Sequence, residues 1–214
     1  MTLQALQMLE ALLLLATLRT VGAHRLADYT GGFILQSVVL AALAVLLAAS
    51  SGAADLVVVA AMTLGAKVYL VPRILRRVAA ELPVERGVRS MLGLPASILA
   101  AIGLSVLAFL GTSTLAESVG AQAGSFGVSL SMVLIGLFLI TVRRHVVAQL
   151  VGLLTMENGT FAGALALAPR MPWVIEFAIL LDILVAVVVM GLLITLIHRE
   201  VATADTAALR QLRG

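Results

Sequence analysis

The sequence predicts an all-α fold, a polytopic membrane helix bundle of seven transmembrane helices, and three observations carry that expectation. Hydrophobic residues make up 62% of the 214 residues and charged residues only 12%, with a mean hydropathy of +1.15, whereas a soluble domain is roughly half apolar. The apolar stretches are unbroken Ala, Leu and Val runs of helix length rather than the short alternating segments of a barrel. Basic residues recur after every second stretch.

At about 20 residues per crossing, the spans fall near Leu3 to Leu18, Gly32 to Ala49, Ala54 to Val71, Leu94 to Thr112, Phe126 to Val142, Val146 to Leu167 and Trp173 to Ile197. Arg19, His24 and Arg25 follow the first. Arg73, Arg76, Arg77, Arg86 and Arg89 follow the third, Arg143 and Arg144 the fifth, and Arg199, Arg210 and Arg213 the seventh. The intervening connections hold Arg170 as their sole basic residue. By the positive-inside rule the amino terminus lies outside and the carboxyl terminus in the cytoplasm. The opening run MTLQALQMLEALLLLATLR lacks a positive n-region and a cleavage pattern, so it is expected to be a mature helix rather than a signal peptide.

The chain is expected to be one integral membrane domain. Residues 1–112 supply four amino-terminal helices with a cytoplasmic loop at 73–91, residues 126–197 a three-helix unit, and residues 200–214 a cytoplasmic tail. Tyr29, Tyr69 and Trp173 fall near span ends, where amphipathic rings anchor at the interface. The segment RILRRVAAEL pairs Arg77 with Glu81 and aligns Ile74, Leu75 and Val78. It is expected to form a short interfacial helix resting on lipid or on a peripheral subunit. Eighteen glycines fit close helix packing.

A formal charge of +3 does not point to nucleic acid, because the arginines sit between apolar spans and aromatic residues for base stacking are few. With no cysteine, disulfides, thiolate-bound zinc, Cys-ligated iron–sulfur clusters and a Cys nucleophile are excluded. No metal or other cofactor site is expected, and any redox centre belongs to a partner.

Function is expected where charge enters the apolar spans, since such residues are costly there and usually face a bundle interior or an ion path. The sixth and seventh spans carry Glu157, Glu176 and Asp182. At 1.5 Å per residue, Glu157 lies about 20 Å and Asp182 about 18 Å below the outer turn, with Glu176 about 9 Å below it. Glu157 and Asp182 thus share a depth, and carboxyls placed together in a low-dielectric interior suit proton exchange. Glu176, a third of a turn around from Asp182, becomes an outer station. Lys67 either snorkels to the cytoplasmic surface or serves as a further carrier. Glu10, on one stripe with Gln4 and Gln7, faces other helices in a structural or transport role. Gln149, Asn158 and His145 are possible supporting residues. Asp55 reads as a helix-end residue. The bland alternative for the acids is a set of protonated carboxyls bonded across the bundle.

The segment LFLITVRRHVVAQLVGLLTMENG resembles the K subunit of respiratory complex I, in which an apolar helix ends in paired arginines and an acid-bearing helix follows. Aligning VRRHVVAQLVGLL on that motif puts Leu154 where the family has glutamate, with Glu157 three residues on, on the same helix face. The Mrp antiporter C subunit is similar. Over its whole length, including LLTMENGTF and EFAILLD, the chain resembles the hydrogenase-4 component E family. That resemblance implies a non-catalytic membrane-arm subunit in a prokaryotic cytoplasmic (inner) membrane. Its partners would be antiporter-like membrane subunits and a membrane-anchored, hydrogenase-like oxidoreductase module. Glu157, Asp182, Glu176 and Lys67 would form the proton path. A purely architectural subunit and a stand-alone small transporter are the alternatives.

Overall fold

The computed structural model describes residues 2–81, 91–114 and 122–167, and within them every regular element is helical. The order is α1 (Thr2–Val21), α2 (Leu26–Ser51), α3 (Asp55–Thr63), a π-helical segment (Leu64–Leu70), α4 (Val71–Glu81), α5 (Leu94–Ser113), α6 (Ala123–Val142) and α7 (Val146–Leu167). Among the described residues, five helical stretches are long and apolar enough to cross a membrane: Leu3–Val21, Leu26–Ser51, Asp55–Arg77, Leu94–Ser113 and Ala123–Val142. They correspond to the first five expected spans, and α7 has the bounds expected of the sixth. Arg170 in the preceding connection, the expected seventh span with Trp173, Glu176 and Asp182, and the tail lie outside the described residues.

Two expectations about the helices need correction. The second helix starts at Leu26 rather than Gly32 because a local box nucleates it early: the Arg25 backbone N–H donates to Asp28 Oδ2 at 3.3 Å. Tyr29 therefore sits in the first turn and is fully buried instead of anchoring at the surface. Tyr69 is exposed, with its hydroxyl accepting a hydrogen bond from Arg73 at 3.0 Å. At its far end α2 closes on Gly52, whose φ of 72° is a left-handed conformation that glycine adopts without steric cost.

The second correction concerns RILRR, which is not a separate interfacial helix. Asp55 to Glu81 is helical throughout, and Leu75 is fully buried in the same apolar cluster as Tyr29 and Val147. Leu75, and Ile74 in part, thus pack on the protein's own core. The Arg77–Glu81 pairing and Val78 lie outside the described side chains. Pro72 explains the π segment just before it. Proline has no N–H for the carbonyl four residues back and its ring presses on that carbonyl. The turns upstream widen accordingly, with the Val71 N–H reaching Ala66 O, five residues earlier.

The most intimate pairing is α6 against α7. Lipid supplies no hydrophobic drive between helices, so close backbone approach has to supply the contact energy. Glycine permits it. A Cβ on Gly136 would lie 2.6 Å from Met156 N, on Gly152 2.9 Å from Gly136 O, and on Gly159 2.8 Å from Met132 Cβ. Ser129 Oγ reinforces the seam by donating to Gly159 O at 2.7 Å. Next, α5 packs on α6 and leaves Leu99, Val106, Leu107 and Leu110 facing outward. The bundle is joined through α1 with α2 and α6, and through α2 with α3 and α7.

Among the described residues the arginines gather at one end. Arg143, only 4% exposed, donates from its guanidinium to Val21 O at the carboxyl end of α1, and lies 5.8 Å from the Tyr29 ring centroid. It thus satisfies a helix-terminal carbonyl with a favourable charge. Gly152→Val and Gly159→Val are expected to destabilise the subunit by about 1–3 kcal/mol through overpacking. Gly103→Ala, in open space, should leave stability unchanged or raise it. Thermal unfolding in detergent measures both.

Candidate functional site

Four helices repeat the same sequence of environments along their length. Toward the basic end, Val21, Tyr29, Phe33, Leu75, Ile135 and Val151 belong to one apolar cluster. Toward the other end, Leu13, Leu40, Leu56, Met132, Phe161 and Leu165 belong to another. Between them lies a buried polar layer: Thr17 and Thr20 of α1, Gln36 and Ser37 of α2, Thr63 and Lys67 of the third span, and Thr155, Glu157 and Asn158 of α7. The layer crosses α2, the third span and α7 near their middles and α1 near its carboxyl end.

At the centre of the layer, Lys67 Nζ lies 2.8 Å from Glu157 Oε1, with the two side chains 4% and 3% exposed. Burying an ion costs several kcal/mol, which mutual attraction offsets only if the remaining hydrogen-bonding positions are filled. Lys67 also donates to Asn158 Oδ1 at 3.0 Å and stands 5.6 Å from the Phe161 ring centroid. Glu157, Asn158 and Phe161 come from one face of α7, spaced by one and by four residues, so a single helix supplies anion, hydrogen-bond acceptor and ring. Lys67 enters from the centre of the π segment, a conformation often found at functional sites. Of its two expected fates, snorkelling is ruled out by this inward placement.

The layer extends sideways to α2 and α1. Asn158 Nδ2 donates to Ser37 Oγ at 3.5 Å, and Ser37 donates to Phe33 O at 3.0 Å. Beside it, Gln36 Nε2 donates to Thr20 Oγ1 at 3.1 Å. Among the described residues, Gln36 Oε1 and Thr155 Oγ1 are buried with no hydrogen-bond partner. Chemically, a proton moving from ammonium to carboxylate across the 2.8 Å gap converts the pair into an amine and a carboxylic acid. The site can therefore change from two charges to none without moving a heavy atom far.

Other sequence-expected residues fall elsewhere. His145 sits in the α6–α7 turn at the basic end and Gln149 in the first turn of α7. Gln149 Nε2 donates to Arg143 O at 2.8 Å, and His145 Nδ1 accepts from the Val147 N–H at 3.2 Å. About 18 Å of helix separates His145 from Glu157. Glu10 lies near the opposite end, half-buried, whereas Gln4 and Gln7, expected to share its inward stripe, are exposed. Asp55 is exposed in the first turn of α3. Leu154, at the position of the complex I glutamate, is buried among Ile135 and Leu139, one turn from the polar layer that Glu157 reaches. Asp182 and Glu176 lie outside the described residues. Sequence reasoning missed Gln36, Ser37 and Phe161. Only Phe161 carried a signal, four residues after Glu157.

Comparison with known proteins decides the family. Hydrogenase-4 component E of Escherichia coli (strain K12) is 31% identical over 208 residues, covering 96% of each chain. The chain belongs to the hydrogenase-4 component E family. The Shigella flexneri protein of that name matches equally, and an uncharacterized protein of Mycobacterium tuberculosis is 32% identical over 180 residues, covering 83% of this chain and 82% of its own. Residues 125–214 match the family model for NADH-ubiquinone/plastoquinone oxidoreductase chain 4L. No solved structure matches. The chain 4L region of this component E homologue begins at α6, so it contributes Glu157 and Asn158, whereas Lys67 and Ser37 come from the preceding helices.

Asn158→Leu removes a hydrogen bond to a charged group and is expected to cost about 1.5–3 kcal/mol. Ser37→Ala removes only the long 3.5 Å contact and should cost far less. Paired thermal melts of the purified subunit in detergent test the ranking.

Proposed function

We propose that this chain is a non-catalytic membrane-arm subunit of a complex I-like, membrane-bound hydrogenase-type assembly in a prokaryotic cytoplasmic membrane, and that it passes protons through the middle of its bundle. The observation that carries this reading is the Lys67–Glu157 ion pair, buried at 2.8 Å between two apolar layers. A structural cross-link in such a place needs only neutral partners; a matched acid and base can also exchange a proton and lose their charge together. Membership in the component E family and the chain 4L match support a place among the membrane subunits of such an assembly.

In this reading the arginine-bearing end faces the cytoplasm and the amino terminus lies outside. Lys67 and Glu157 are the central exchange pair, with Asp182 and Glu176 as further stations. Antiporter-like membrane subunits and a peripheral hydrogenase-like module are the partners. A second, architectural reading is favoured by the partners that already hold the ammonium among the described residues, Glu157, Asn158 and Phe161.

Removing one member of the pair strands a buried charge and is expected to destabilise by about 3–5 kcal/mol. The discriminating variant therefore changes both. Lys67→Met combined with Glu157→Gln should assemble normally but lose coupled proton movement, measured by a pH-sensitive dye in vesicles holding the intact complex. Normal assembly with normal proton movement overturns the relay and leaves the architectural reading.

A further inference from the structure

Between α1, α2, α6 and α7, at the end of the bundle away from the arginines, lies a partly enclosed cavity of about 160 Å³. At roughly 30 Å³ per molecule it has room for about five waters. Its walls are mostly apolar, from residues such as Leu13, Val128 and Ala162, but three polar side chains converge on it: Glu10 from α1, with Gln122 and Ser125 from the start of α6. Water occupies a cavity only when several polar groups hold it, and this triad meets that condition. Among the described residues that line it, Glu10 is the one titratable group.

The cavity stands close to the ion pair. Leu13, Val128, Ala162 and Leu165, which wall it, share an apolar cluster with Phe161, whose ring faces the Lys67 ammonium at 5.6 Å. Ala162, in the cavity wall, is the next residue after Phe161. The apolar cluster that walls the cavity thus also carries the ring set against the charged centre.

We propose that this cavity is a water-holding antechamber in which Glu10 exchanges protons between the membrane face opposite the arginines and the Lys67–Glu157 pair. The proposal rests on the relay reading for its inner terminus. The exchange balances simply: the carboxylate takes a proton from a hydronium, leaving water, and returns it as the carboxylic acid. Three oxygen-bearing side chains, one of them charged, fit water and a proton better than a metal cation with its larger demand for ligands.

The absence of cysteine from the natural chain makes the cavity directly testable. Ser125→Cys and Ala162→Cys place a reporter at the mouth and in the wall, and Leu40→Cys places one in the fully buried core. The intact complex, in sealed vesicles of known sidedness, is treated with a charged, membrane-impermeant methanethiosulfonate, and modification is read as a mass shift of this subunit. Ser125→Cys and Ala162→Cys should react from the face opposite the arginines, and Leu40→Cys should not. An unreactive Ala162→Cys shows a dry cavity and overturns the proposal, whatever the Lys67 and Glu157 variants do. Glu10→Gln should slow coupled proton movement about a hundredfold, at the low end for loss of a positioned acid–base group, without loss of assembly. An unchanged rate in Glu10→Gln also overturns it. A hydrated cavity and a slow Glu10→Gln variant beside a fully active Lys67→Met, Glu157→Gln double variant would retain Glu10 and reject only the inner terminus.

Discussion

The Lys67–Glu157 ion pair constrains the rest of the bundle. Two opposite charges in an apolar interior are stable only in mutual contact and with their remaining hydrogen-bonding positions filled. The third span and α7 must therefore meet at one depth, with Asn158 and Phe161 on the same face of α7 as the glutamate. The neighbouring helices follow that depth, placing Ser37, Gln36, Thr20 and Thr63 level with it and aliphatic side chains on either side. The two apolar clusters are thus more than packing. In the proposed relay they keep water from short-circuiting the layer, so that a crossing proton has to use the groups within it.

Holding α7 in this position falls to α6. The pair lies backbone to backbone across glycine, and at the basic end Arg143 ties the α6–α7 turn to the last carbonyls of α1. Glu157 is thereby fixed by contacts on the far side of its helix, made without reference to Lys67. In the proposed relay, such a division lets the ion pair change its charge state while the helix that carries it stays in place.

Much of the fold was legible because a bilayer leaves few options: a long apolar run must be a helix, and arginines mark its ends. The errors arose where tertiary contacts outweighed those signals. Tyr29 looked like an interface anchor, yet Arg143 draws its ring inward. The RILRR stripe looked like a lipid face, yet Leu75 fills a space beside Val147. At the site, arithmetic along a helix set Glu157 well inside its span, while Asp182, its expected level partner, lies outside the described residues. Such arithmetic could not give the facing of Lys67, because a π segment breaks the 3.6-residue periodicity on which facing arguments depend. Ser37 and Gln36 had no signature, being ordinary polar residues in an apolar helix.

The π segment has a consequence for how this lysine is specified. A widened turn accommodates a surplus residue, in the manner of an insertion absorbed without a loop. The direction of the Lys67 side chain is therefore written in backbone hydrogen-bond register, set by Pro72 a turn away, and not only in the identity of position 67. Two chains could share every side chain of the polar layer and still differ in whether the ammonium meets the carboxylate, according to whether the helix before the proline is wound tight or wide.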